Sequence, residues 1–166
     1  MKEYVCVYVK SLVPNHCLLI RKSSPDWQKG KLNLVGGKIE PGETVEQAAK
    51  RELEEETVLV GFNFKVRGAV TGKKCHDPKY DQDGWIVWFL TCDIDVDVLE
   101  IDQSHREEPV QWYWIDEALD ILPLIPNLKL IIPLLDINAP DWKLTETPSG
   151  LVYESCNWET RCMTSV

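Results

Sequence analysis

The chain has 166 residues, 44% of them hydrophobic and 27% charged, which fits one globular domain with a sizeable core and does not stretch to two. A formal net charge of -9 disfavours nonspecific binding to nucleic acid or anionic membranes, both of which need basic surface. No apolar run approaches the ~20 residues of a membrane span, and the first ten residues lack the uninterrupted apolar core of a signal peptide.

In chain order, residues 4–9 alternate valine with other side chains and read as a strand, and residues 17–20 as a second strand after the Pro14-Asn15 turn. Arg21 and Lys22 close it. A loop-like SSPDWQKGK follows, and residues 32–35 form a short strand that delivers the chain to Gly36-Gly37. Pro41-Gly42 makes a turn, and Thr44 with Gln47 three residues later reads as a capping box, predicting a helix from Val45 to Thr57.

At about 100° per residue, Val45, Ala48 and Ala49 share the core face of that helix, while Gln47, Lys50 and Glu54 face solvent. The same count puts Glu52 and Glu56 on the apolar side with Glu55 on its flank. A solvated charge run, the usual fate of such acids, accounts for Glu54 alone. Carboxylates one turn apart on an inward face repel each other and lose hydration, so they need cations, hydrogen bonds or protonation. A divalent metal is the simplest remedy, since hard cations such as Mg²⁺ take a few carboxylates together with substrate phosphates. Glu52, Glu55 and Glu56 are thus candidate ligands.

Further on, residues 62–70 read as a strand and residues 71–84 as a polar loop with Lys73, Lys74, His76 and Tyr80. Residues 85–92 are almost unbroken apolar, as expected for a strand covered on both faces at the centre of a sheet. An acidic loop over 93–108 precedes an alternating segment at 110–115, a short helix at 116–122 stopped by Pro123, and a last helix from Pro126 through Leu135 that Pro133 must kink or end. The alternation predicts an α/β sandwich, a mixed sheet between helices. Residues 151–156 read as an extra strand, a dimer contact or a frayed tail. The six cysteines, at 6, 17, 75, 92, 156 and 162, form no C-x-x-C pair and no zinc spacing. They read as free thiols in a reduced, cytoplasmic setting.

The segment from Gly37 to Leu59 resembles the Nudix box, G-x5-E-x7-R-E-U-x-E-E-x-G-U with U a bulky aliphatic. Gly37, Glu43, Arg51, Glu52, Leu53, Glu55, Glu56 and Leu59 match at their spacing, and Val58 stands where the family has glycine. A β-branched residue is poor in the left-handed conformation that glycine serves at a helix end, so the helix is expected to run on and stop nearer Gly61. Flanking patterns carry the resemblance to Asp136. It implies a Nudix-type α/β/α sandwich over 1–136, with 137–166 as a C-terminal extension packed on the same domain. It also implies a MutT-like hydrolase that splits a diphosphate linkage in a nucleoside diphosphate joined to another group, using Mg²⁺ or Mn²⁺. By resemblance, Glu52, Glu55, Glu56 and the Gly36 carbonyl hold metal, Glu55 and Glu56 also assist as base, Arg51 orients Glu43, and Glu107 or Glu108 adds a further ligand or base.

Arg21, Lys22 and Lys38 are candidates for phosphate contacts. Trp27, in a polar loop, is the candidate to stack on a base, whereas Trp85, Trp88, Trp112 and Trp114 are mostly expected in the core. His16, His76 and His105 lack any triad or metal spacing. The partner implied is a small-molecule nucleotide: a triphosphate, an oxidised nucleotide, a nucleotide sugar, ADP-ribose, a dinucleotide or a capped RNA end, the last weakly opposed by the acidity. A homodimer is compatible with the tail. The rival class is a catalytically silent nucleotide sensor of the same family, which would typically have lost box carboxylates; none is lost here. Isoprenoid diphosphate isomerisation would need Cys and Glu machinery that has no evident place.

Overall fold

The structure, a computed structural model, describes residues 1–72, 84–95, 101, 108–137, 139–147 and 150–155. Eight strands and three helices follow in the order β1 (Lys2–Lys10), β2 (His16–Arg21), β3 (Leu32–Asn33), α1 (Val45–Thr57), β4 (Gly61–Gly72), β5 (Trp85–Ile94), β6 (Val110–Trp114), α2 (Ile115–Asp120), α3 (Leu128–Asp136), β7 (Trp142–Thr147) and β8 (Gly150–Ser155) among the described residues.

The strands form two sheets, β1-β5-β4-β7-β8 and β3-β2-β6. The larger is mixed: β1 runs parallel to β5 and β4 parallel to β7, while β4-β5 and β7-β8 are antiparallel. Its two faces carry two cores. Val5, Val7, Val9, Leu90, Cys92 and Ile94 point to one side, where Ala48, Ala49 and Leu53 of α1 cover them. Cys6, Tyr8 and Phe89 point to the other side, with Leu128, Ile131, Ile132 and Leu135 of α3. Burial on both faces explains the unbroken apolar run of β5, since a strand with one wet face would alternate.

Helix α1 begins and ends on named groups. Thr44 Oγ1 accepts from Gln47 N at 3.1 Å and Gln47 Oε1 accepts from Thr44 N at 2.8 Å, the reciprocal capping box. At the other end the expectation of a longer helix is wrong. Val58 takes the left-handed conformation (φ 58, ψ 10), its N–H bonding Glu54 O at 2.9 Å. Thr57 Oγ1 donates to Leu53 O and accepts from Leu59 N at 3.0 Å, which satisfies the buried end. The reversal lets Leu59 enter the core while Val58 stands 71% exposed, so the demand for burial at 59 overrides the poor local propensity at 58. Val58→Gly is therefore expected to stabilise. Relief of about 1–2 kcal/mol is partly offset by about 0.5–1 kcal/mol of glycine's unfolded-state freedom. The check is a higher denaturant midpoint at unchanged slope; a lower midpoint would mean that Val58 packs more than its exposure indicates.

Other expectations change in detail. α3 starts at Leu128 after Asn127 rather than at Pro126, and with Pro133 inside it runs to Asp136, one residue past the expected Leu135. Trp114 is 55% exposed rather than core. Among the described residues the fully buried tryptophan is Trp142, whose ring lies so close to Gly68 that a Cβ there would come within 2.3 Å of it. Trp142 opens β7, a strand absent from the sequence reading, and β8 forms the outer edge beyond it. Cys6, Cys17 and Cys92 are buried free thiols, and burial pushes each up to about 12. Cys75, Cys156 and Cys162, with Lys73, Lys74, His76, Tyr80, His105 and Glu107, lie outside the described residues. No helix among the described residues is long and apolar enough to cross a membrane.

Candidate functional site

The site forms where the Gly36-Gly37 loop crosses α1. That loop is pinned along β1 by Val5 N donating to Gly37 O and Val7 N to Val35 O, both at 2.8 Å. At Gly36 the backbone has φ +149, and a Cβ would sit 2.1 Å from the Val5 carbonyl oxygen, so only glycine fits. A Cβ at Gly37 would meet Glu52 Oε1 at 2.5 Å. The two glycines therefore let backbone and carboxylate approach as nothing larger could.

Glu56 reaches this loop from the helix, accepting from Gly36 N at 2.8 Å. Burial pushes its carboxyl up to about 7, against the lowering effect of the Gly36 bond and of Lys22, with Glu52 and Glu108 adding repulsion. Such crowding of acids is the environment that a divalent cation relieves.

Arg51 gathers a second group. Its Nε and Nη2 grip the two oxygens of Glu43 at 2.7 and 2.9 Å, Nη2 also donates to Lys38 O at 3.0 Å, and Nη1 donates to Glu52 Oε1 at 2.7 Å and Glu55 Oε2 at 3.4 Å. The side-chain bonds of Arg51, then the Glu40 backbone N–H, hold Glu43 down at about 2. The bonds to Glu43 and Glu52 raise Arg51 itself. The fork ties the loop at 38–43 to the helix, as a point charge could not.

The third group comes from the smaller sheet. Lys22 leaves the end of β2 and Glu108 precedes β6, brought together because Arg21 N bonds Pro109 O at 2.9 Å. Lys22 Nζ hydrogen-bonds Glu108 Oε2 and lies 3.9 Å from Glu56 Oε1. Ser23 adds its N–H and hydroxyl to Glu108 Oε1 at 2.6 and 2.9 Å. Burial alone would push Glu108 up; the bonds from Lys22 and Ser23 outweigh it and bring the carboxyl below its ordinary value.

The four candidate ligands Glu52, Glu55, Glu56 and Glu108 are thus held by two internal cations rather than converged on one point. Among the described residues no three His, Cys, Asp or Glu side chains stand in a ready ligand arrangement. The donor set nevertheless suits a hard cation: all-oxygen, on one helix and one facing loop, with Glu52, Glu56 and Glu108 largely shielded and Glu55 61% exposed. Glu54 is exposed, as the helical count requires.

Of the other candidates, Arg21 donates to Gly30 O at 2.9 Å and so closes the loop after β2. Lys38 is exposed at the rim. Trp27 is 49% exposed in the loop between Lys22 and Lys31, with Lys31 Nζ 6.0 Å from its ring centroid. Ser23 was missed; its signal is its position directly after Lys22, at a strand end.

An acidic helix set behind a glycine loop in a two-core α/β sandwich defines the class of Nudix-type folds. The chain belongs to the Nudix family: the NUDIX domain model matches residues 5–135. It is 33% identical over 120 residues to the NAD-capped RNA hydrolase NUDT12 of Pongo abelii, covering 70% of this chain but only 23% of that protein. Among solved structures it resembles the MutT protein of Bacillus halodurans (TM-score 0.68, 23% identity, 93% of this chain and 97% of that one). It also resembles the E. coli dihydroneopterin triphosphate pyrophosphohydrolase (TM-score 0.64, 17% identity, 82% and 96%). A third likeness is to the NUDIX domain of Shewanella oneidensis NrtR in complex with ADP ribose (TM-score 0.64, 20% identity, 82% and 88%). At these identities the structural likeness establishes the fold.

Proposed function

We propose that the protein is a divalent-metal-dependent hydrolase that cleaves a diphosphate linkage in a nucleoside diphosphate joined to another moiety. The observation that carries this reading is Glu56, a shielded carboxylate bonded to Gly36 N and crowded by Glu52 and Glu108. Such an arrangement costs stability in the metal-free protein, and a bound cation would offset that cost. Glu52, Glu55, Glu56, Glu108 and the Gly36 carbonyl would hold Mg²⁺ or Mn²⁺. That ion would neutralise phosphate oxygens and activate water for attack on phosphorus.

The chain's own part is orientation and proton handling. Arg51 and Glu43 fix the loop against the helix, Glu55 or Glu56 accepts the proton of the attacking water, and Lys38, exposed at the rim, is the cation best placed for substrate phosphate, with Arg21 and Lys22 engaged by Gly30 O and Glu108. Trp27 offers an exposed face for a base. Retention of every box carboxylate speaks against the silent sensor. The buried free thiols support a reduced, cytoplasmic setting.

A relative is named for NAD-capped RNA, one structural neighbour is complexed with ADP ribose and another is named for a pterin triphosphate, and all three ligands contain a phosphoanhydride. A panel of NAD, ADP-ribose, nucleotide sugars, nucleoside triphosphates and capped RNA, assayed with Mg²⁺ or Mn²⁺ and read by product mass, is expected to give cleavage between phosphates. Retention of every substrate intact, with tight binding of one, would favour the sensor.

A further inference from the structure

The four acids of the site are divided between two cations of the chain, and the two cations are differently placed to let go. Besides its bonds to Glu52 and Glu55, Arg51 has two to Glu43 and one to Lys38 O, so it can release the two candidate ligands and remain in position. Lys22 has a different situation. Its ammonium bonds Glu108 and stands 3.9 Å from Glu56, the two acids that face each other across the site from α1 and from the start of β6. A divalent ion drawn to those two carboxylates would occupy the space that the ammonium now holds, and like charges at such separation repel strongly where solvent is largely excluded. The side chains of Lys22, Glu56 and Glu108 are only 17, 19 and 18% exposed.

The backbone at Lys22 is fixed, its N–H bonding Lys31 O at 2.9 Å and its carbonyl accepting from Gly30 N at 2.8 Å. Any withdrawal is therefore a rotation of the flexible side chain about a held base. We propose that Lys22 is a built-in competitor of the divalent cation: it neutralises Glu56 and Glu108 in the metal-free protein and swings away when the ion binds, which turns its ammonium toward substrate phosphate. The proposal rests on the metal-binding reading above and makes Lys22 a positioning residue that sets metal affinity.

Titrating Mn²⁺ into the full chain and counting free ion by electron paramagnetic resonance tests it without turnover. Lys22→Met is expected to bind Mn²⁺ at least ~10-fold more tightly than the parent, because a competing charge has been removed, and Lys22→Arg is expected to return toward the parent value. A parent that binds no Mn²⁺ overturns the metal reading itself. A parent that binds, with Lys22→Met equal or weaker, overturns only the competition, since Lys22 would then be organising the ligands. Should Lys22→Met fail to fold, the parent answers alone. The side-chain ammonium signal of Lys22 in nitrogen-15 spectra, identified by its loss in Lys22→Arg, is expected to shift and broaden on saturation with Mg²⁺. An unchanged signal overturns the proposal.

Discussion

Glu56→Gln is expected to lower turnover by ~10²-fold or more, the scale of losing acid-base assistance or a focused charge. The amide oxygen can still accept from Gly36 N, so the side chain keeps its place and what disappears is the negative charge and the capacity to take a proton. Glu54→Gln, on the exposed face of the same helix, is the control and is expected to be nearly silent. Equal losses at 54 and 56 would contradict the account. The same substitution has an opposite effect on stability. In the metal-free protein Glu56 sits at about 7 because of burial, above the ordinary value near 4.5, so the folded state binds its proton more tightly than the unfolded chain. The penalty is absent below about pH 4.5, grows up to about pH 7, and is full above, reaching on the order of 3 kcal/mol. In chelator, Glu56→Gln should therefore melt higher than the parent at pH 8 and close to it at pH 4.5. A parent-like melt at pH 8 would mean that the carboxylate is better solvated than its surroundings suggest.

The second large effect is expected at Arg51. Arg51→Ala removes the fork that joins Glu43 and Lys38 O to the helix, and kcat/KM should fall about 10–100-fold, the usual loss when a group that orients ligands is removed. Arg51→Lys should recover little, because one ammonium cannot span both oxygens of Glu43 while reaching Glu52. Since the two residues act as a unit, Arg51→Ala combined with Glu43→Gln should be scarcely worse than Arg51→Ala alone. Fully additive losses would show that Glu43 acts on the reaction independently of Arg51.

The acidic helix was legible because its signals are local: the capping box at Thr44 and Gln47, and a helical count that separates Glu54 from Glu56. The five-stranded sheet was legible where burial on both faces makes apolar runs, as in β5. What escaped was decided at long range. The propensity of Val58 points away from the left-handed turn, and it is the burial of Leu59, the aliphatic that closes the box, that enforces it. β7 carries Trp142 and Leu144 at strand spacing, yet its partner β4 lies some seventy residues earlier in the chain, and Gly68 opposite the indole gives meaning to both only in the fold. The pairing of Lys22 with Glu108, 86 residues apart, is likewise invisible in sequence, and it changes Lys22 from a free phosphate contact into an internal counter-ion. Helical phase could say which acids share a side but not which cation each would meet.

The most direct test of the central claim takes the best substrate of the panel and removes metal. With excess chelator, turnover should be abolished, and added Mg²⁺ or Mn²⁺ should restore it in the parent but not in Glu56→Gln at the same concentration. Full activity in excess chelator, by a protein shown to be metal-free, would contradict the proposal that these carboxylates serve a divalent cation in hydrolysis.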